Sequence, residues 1–202
     1  MNKRLFDLTT PDSRDGYKLL TGMVIPRPIG WIGTVRTDGT HNLAPFSFFN
    51  VVSTSPPVVL FAAGAHSDRP KDSAAFAEQS GVFTVSIVSF ELVQAMSLTS
   101  GSYDSTDDEF GIAGLTAVMG SVVPAPMVAE SPANLECRVL EVIGLGPTGA
   151  TRLVLGAVVA IHIRDDALDG TRVDPGVLDA VGRLSGSSYV TTRDRFELTG
   201  PS

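Results

Sequence analysis

Residues 27–61 read RPIGWIGTVRTDGTHNLAPFSFFNVVSTSPPVVLF, and this stretch decides how the rest of the chain is understood. Two apolar runs, Ile29 to Val35 and Leu43 to Val52, flank Thr37-Asp38-Gly39-Thr40. The Asp-Gly pair supplies the positive φ of a tight hairpin turn, so the two runs read as antiparallel strands. A third strand, Pro57 to Ala62, is opened by the pair Pro56 and Pro57. Within the second run, strand alternation places Phe46, Phe48 and Asn50 on one face and leaves Ser47 with small neighbours on the other. Two readings follow: an ordinary core strand made irregular by Pro45, or one wall of a site for a large planar cofactor.

Outward from this hairpin, β-branched runs punctuated by Gly, Pro and Asp predict strands at Val82 to Ser89, Asn134 to Gly144 and Arg152 to Ile163. Helices are fewer. Lys71 to Glu78 follows Arg69-Pro70 and carries Asp72 near its start, where a carboxylate favours the exposed backbone donors, and Phe76 should face inward. Shorter helices are expected at Phe90 to Leu98 and Val177 to Arg183. Six strands with about three short helices predict a mainly-β barrel with peripheral helices, because strand-to-helix crossovers are too scarce for a doubly wound sheet. The 202 residues, 43% hydrophobic, suit one domain spanning residues 1–202.

Composition removes several classes of function. A net charge of −7 gives no general basic face for nucleic acid. No apolar run is long enough to span a membrane, and the N-terminus soon turns polar without a signal-peptide pattern, which predicts a soluble cytoplasmic protein. The single Cys137 cannot form an intramolecular disulfide and reads as a small buried hydrophobe. Neither GxGxxG nor GxxxxGK[ST] is present. His41, His66 and His162 lack metal-ligand spacing, and Leu184-Ser185-Gly186-Ser187-Ser188 lacks the first glycine of a nucleophile elbow. The acidic run from Asp104 to Glu109 reads as a solvated loop.

Taken together, several segments resemble the flavin reductase-like proteins with the FMN-binding split barrel, in particular the flavoredoxin and NADH:FMN oxidoreductase branch. The resemblance is carried by residues 27–61, by Arg69-Pro70-Lys71-Asp72-Ser73, by Glu109-Phe110 with Ala113-Gly114-Leu115-Thr116, and by Gly182-Arg183-Leu184-Ser185-Gly186 with Tyr189. It implies a six-stranded Greek-key split barrel that forms a homodimer and binds FMN noncovalently near the subunit interface. Two positions depart from the family pattern: Ser185 stands where a glycine is common, and Ser97 follows Met96 where many relatives carry asparagine.

The resemblance places Asn42, Ala44, Pro45, Phe46 and Ser47 along the flavin ring and ribityl chain. Lys71, with Arg69 and Ser73, combines positive charge with a helix N-terminus for the phosphate; without the resemblance, Lys71 reads first as a solvated helix residue. Ser53, Thr54 and Ser55 are further donors for the ribityl chain or phosphate. Arg27, held between Pro26 and Pro28, contacts either the flavin, a neighbouring subunit or a structural partner. Trp31 is either core or a cofactor contact, and Arg183 and Tyr189 are expected near the flavin or the dimer partner. The implied activity is hydride transfer from NAD(P)H to flavin, with electrons passed to free flavin or another acceptor, a partner monooxygenase included. The alternative is an FMN-binding electron carrier that does not turn over NAD(P)H. Flavin carries this chemistry itself, so no catalytic side chain and no metal ligand is assigned.

Overall fold

A computed structural model describes residues 1–9, 15–66, 69–104, 106–149 and 151–200, the side chains of residues 65, 66, 69 and 70 excepted. One antiparallel sheet dominates. Its seven strands run in the spatial order His41–Phe46, Gly30–Val35, Val82–Ile87, Ala133–Leu145, Thr151–Ile163, Pro57–Ala63 and Phe49–Thr54. The two outermost strands are consecutive in sequence, joined only by Ser47 and Phe48. The sheet therefore curls to bring its two edges to one corner, and Ala62 N donates to Phe48 O at 2.8 Å, extending the ladder between Phe49–Thr54 and Pro57–Ala63 into that corner.

The hairpin reads as its sequence demands. Gly39 adopts φ 88°, its N–H donates to Arg36 O at 3.0 Å, and Trp31 pairs with Pro45 in the ladder that follows. The second run does not form the single strand expected over 43–52. A corner at Ser47–Phe48 divides it, so alternation restarts: Phe46 and Phe49 are buried, whereas Phe48 is 45% exposed and Asn50 is exposed. That division turns six expected strands into seven within the split-barrel architecture.

Both faces of the Gly30–Val35 strand are covered. Ile32 belongs to the barrel interior with Phe46, Phe61, Phe83 and Val154, where Phe61 lies 5.2 Å from the Phe46 and Phe83 ring centroids. Trp31, one residue away and therefore on the opposite face, joins an outer core with Leu43, Met96 and Phe110. Trp31 is fully buried, which gives it a packing role. Cys137 is likewise buried in the barrel core, and burial, with the charge of Glu136, pushes its thiol up to about 12. Gly156 permits the close contact of two strands here, since a Cβ would run into the Phe83 ring.

Helix Asp72–Ser80 forms as expected, with Lys71 as its N-cap, Gly81 at φ 71° beyond its end, and Phe76 buried. The segment from Phe90 begins as a turn of 3₁₀ helix and continues as Val93–Leu98. The helix expected over 177–183 is corrected: helix Pro175–Leu178 stops at Asp179, which adopts φ 43°, and Val181–Arg183 is a strand between Arg27–Pro28 and Tyr189–Thr191. Helix Asp15–Met23, the strand pair Ala117–Met119 and Pro126–Val128, and helix Glu109–Ala113 lie outside the elements expected from the sequence.

A buried carboxylate ties the Ala117–Met119 and Pro126–Val128 pair to the barrel. Glu136 is fully buried, and it accepts from Ser121, Val122 and Val123 N at 3.0, 2.7 and 2.7 Å. His162 Nε2 lies 2.6 Å from its other side. Burial alone would raise this carboxyl, but the hydrogen bonds from His162, Val123, Val122 and Ser121 win and hold it at about 2.

Candidate anion and cofactor cleft

Strand His41–Phe46 lies at one edge of the sheet, and beside it a cleft of about 140 Å³ opens. Its walls are Asn42 and Ala44–Phe46 of that strand, Lys71–Ser73 at the start of helix Asp72–Ser80, the loop Thr99–Tyr103, and Glu109. Pockets that enclose whole drug-sized ligands span roughly 300–1,000 Å³, so this cleft has room for only part of such a molecule.

The strand and helix are fastened together at the cleft floor. Asn42 Nδ2 donates to Thr34 Oγ1 at 3.1 Å and to Ser73 Oγ at 2.8 Å, leaving the Asn42 carbonyl as an acceptor. Lys71 is the N-cap of helix Asp72–Ser80 and makes no side-chain cap hydrogen bond, and the positive dipole end of the helix lies at the cleft beside it. Lys71 Nζ lies 5.7 Å from the Phe46 ring centroid. The opposite wall is held by Trp31, whose indole N–H donates to Thr99 Oγ1 at 2.8 Å while Thr99 Oγ1 donates to Met96 O at 2.9 Å. Tyr103 OH donates to Leu98 O at 2.9 Å and closes the loop over itself.

Glu109 corrects the solvated-loop reading of the acidic run. It is 8% exposed, and Oε2 accepts from Leu43 N at 3.0 Å. Asp108 caps its helix by accepting from Phe110 N at 3.0 Å. Burial pushes the Glu109 carboxyl up; the Leu43 hydrogen bond opposes this, and the charges of Asp108 and Asp72 add to the rise.

Six of the residues singled out in the sequence meet in this cleft: Asn42, Ala44, Pro45, Phe46, Lys71 and Ser73. A second group assembles elsewhere. Arg27 is buried and donates to Thr21 O at 2.6 Å, Val24 O at 2.9 Å, Leu184 O at 2.9 Å and Ser47 Oγ at 3.4 Å. Its guanidinium thus joins the end of helix Asp15–Met23, the barrel corner and the C-terminal loop. Arg183 packs 4.5 Å from the Tyr189 ring centroid and donates to Tyr189 OH and Gly186 O. In that loop the positive φ, 58°, falls on Gly186, so Ser185 is accommodated without strain. Ser97 has an exposed side chain.

Ser53, Thr54 and Ser55 lie at the far end of strand Phe49–Thr54, about 20 Å along the strand from the Ser47–Phe48 corner, and do not line the cleft. Arg69 forms a two-residue strand with Pro70, paired to Ala65–His66; its side chain falls outside the described residues. Thr99–Tyr103 and Glu109 were missed. The signal for Glu109 was local: Asp108 before Glu109 and Phe110 is a helix start, which a reading of charge alone overlooks.

A curled seven-stranded sheet with a cleft at its edge is the architecture of a flavin reductase-like split-barrel protein. The chain belongs to that family, since the flavin reductase like domain profile matches residues 22–183. A protein from Deinococcus radiodurans is 43% identical over 98% of this chain and 90% of its own. Nitrilotriacetate monooxygenase component B from Bacillus cereus superposes with a TM-score of 0.93 at 31% identity, covering 98% of this chain and all of that one. The 2-nitrobenzoate 2-nitroreductase of Pseudomonas fluorescens gives 0.88 at 27% identity over 98% and 97% of the two chains.

Proposed function

We propose that the protein is an FMN-binding oxidoreductase that accepts hydride from NADH or NADPH and passes electrons to free flavin or to another acceptor, a partner monooxygenase among them. The observation that carries this reading is the meeting of Lys71, Ser73 and the N-terminus of helix Asp72–Ser80 with the Asn42–Phe46 edge strand in a flavin reductase-like fold. The donor set suits a phosphorylated polar ligand. A lysine, backbone N–H groups and the hydroxyls of Ser73 and Ser102 border one small volume. When bound, FMN supplies the hydride-accepting ring.

The chain's own residues have separate tasks. Lys71 and the helix N-terminus bind the phosphate, while Asn42, Ala44, Pro45 and Phe46 support the attached ribityl chain and the near side of the ring. Asn42 also fixes Ser73 in place through its amide. Arg27, Ser47, Arg183 and Tyr189 border the remainder of the ligand or the partner subunit from the other side of the corner. Val51, Val52 and Leu140 are exposed on strands of the barrel, and a second copy of the chain would cover them in a homodimer. The same names support a role as one component of a two-protein system, since one similar structure is a monooxygenase component B.

The test is direct. The purified protein should bind FMN, show a flavin visible spectrum and bleach anaerobically on addition of NADH or NADPH. Bleaching by dithionite but by neither nucleotide would sink the reductase reading and leave an electron carrier.

A further inference from the structure

The proposed phosphate cleft sets carboxylates beside its lysine: among the described side chains, its ionisable lining groups are Lys71, Asp72, Glu109 and Tyr103. A phosphate monoester brings nearly two further negative charges to that small volume.

Glu109 is placed to respond to that added charge. It is buried, lines the cleft, and receives a hydrogen bond from only one other described residue, Leu43. The charged and titratable groups around it are Asp108 and Asp107 at the start of its own helix, Asp72 and Lys71 across the cleft, and Tyr103 on the loop. His41, whose ring lies 6.0 Å from that of Phe110, completes the set on the edge strand. Helix Val93–Leu98, packed behind it, has no ionisable residue. Like charges already disfavour the ionised form of Glu109, and an arriving phosphate adds to that pressure.

We propose that Glu109 is a proton-accepting member of the ligand site: binding of a phosphate monoester is coupled to uptake of one proton from solvent by the Glu109 carboxylate. The neutral carboxyl then presents an O–H donor where the anion had repelled, and no bond other than that O–H is made. Lys71 gives the site its affinity for the anion, and Glu109 makes that affinity depend on pH. This rests on the FMN reading above.

Calorimetric titration with FMN at pH 7, in two buffers of different ionisation enthalpy, measures the protons taken up. Wild type should take up at least about half a proton more per FMN than Glu109→Gln, and its Kd should rise up to about tenfold per pH unit where that of the variant is flatter. Glutamine keeps the acceptor for Leu43 N–H while removing the titration. Riboflavin, which has no phosphate, should bind wild type without the extra uptake; this comparison stands even if the variant does not fold. Equal uptake with FMN and riboflavin, or equal uptake in wild type and variant, would overturn the coupling while leaving FMN binding intact. Failure of wild type to bind FMN would overturn the cofactor reading itself.

Discussion

Replacing Glu136 by glutamine isolates the value of one buried charge. The carboxylate is fully buried and accepts three backbone N–H bonds with His162 against its other side. Its pKa falls from 4.5 to about 2 on folding. A carboxylate whose folded value lies below its unfolded one contributes stability above the unfolded value, and that contribution is lost as the pH falls through the folded one. The displacement corresponds to about 3 kcal/mol at pH 7. Titration of both states leaves about 2 kcal/mol at pH 3.5, and the contribution fades further towards pH 2. Glutamine, a neutral mimic of the protonated acid, should therefore be less stable than wild type by about 3 kcal/mol at neutral pH, the gap narrowing in acid. Urea unfolding followed by emission from Trp31, the single tryptophan, gives this difference at each pH. A gap independent of pH between 7 and 3.5 would show that the cost is one of shape and not of charge.

Three other substitutions and one measurement on the intact protein test separate parts of the structure. Lys71→Ala should weaken FMN binding by roughly 10- to 100-fold through loss of a charge-assisted contact, as measured by flavin fluorescence; an unchanged Kd removes Lys71 from the phosphate site. Thr99→Val leaves the buried Trp31 N–H without its acceptor and should cost about 1–3 kcal/mol in thermal or urea unfolding. Gly156→Ala pushes a methyl into the Phe83 ring and should destabilise by about 1–3 kcal/mol, with wild-type stability refuting the tight contact. Light scattering should report a dimer in solution, and a monomer at micromolar concentration would remove the second copy from the Val51 and Leu140 surface.

Much of the fold was legible because it depends on neighbours in sequence. The Asp38-Gly39 turn, the strand on each side of it, and the helix after Arg69-Pro70 are all local decisions of backbone geometry and periodicity. The corner at Ser47–Phe48 was not, since nothing in Phe46-Ser47-Phe48-Phe49 favours a break over continued alternation. That choice is made by closure of the sheet, where Phe46 and Phe49 both turn onto Phe61 and its neighbours. The site divides similarly. Asn42–Phe46 and Lys71–Ser73 were legible from short motifs, but the opposite wall is positioned by contacts remote in sequence. Trp31 holds Thr99 across 68 residues and Leu43 holds Glu109 across 66. Composition placed Glu109 among solvated acids, and packing against the edge strand overruled it.

The edge strand His41–Phe46 has a consequence for the behaviour of the protein in concentrated solution. A sheet edge with free main-chain donors is a template on which another chain can assemble, and it invites fibrous or amorphous growth. Here the Leu43 N–H is already taken by Glu109, and Pro45 has no N–H to offer. Glu109 and Pro45, which both line the cleft, thus make this edge a poor template for a further strand.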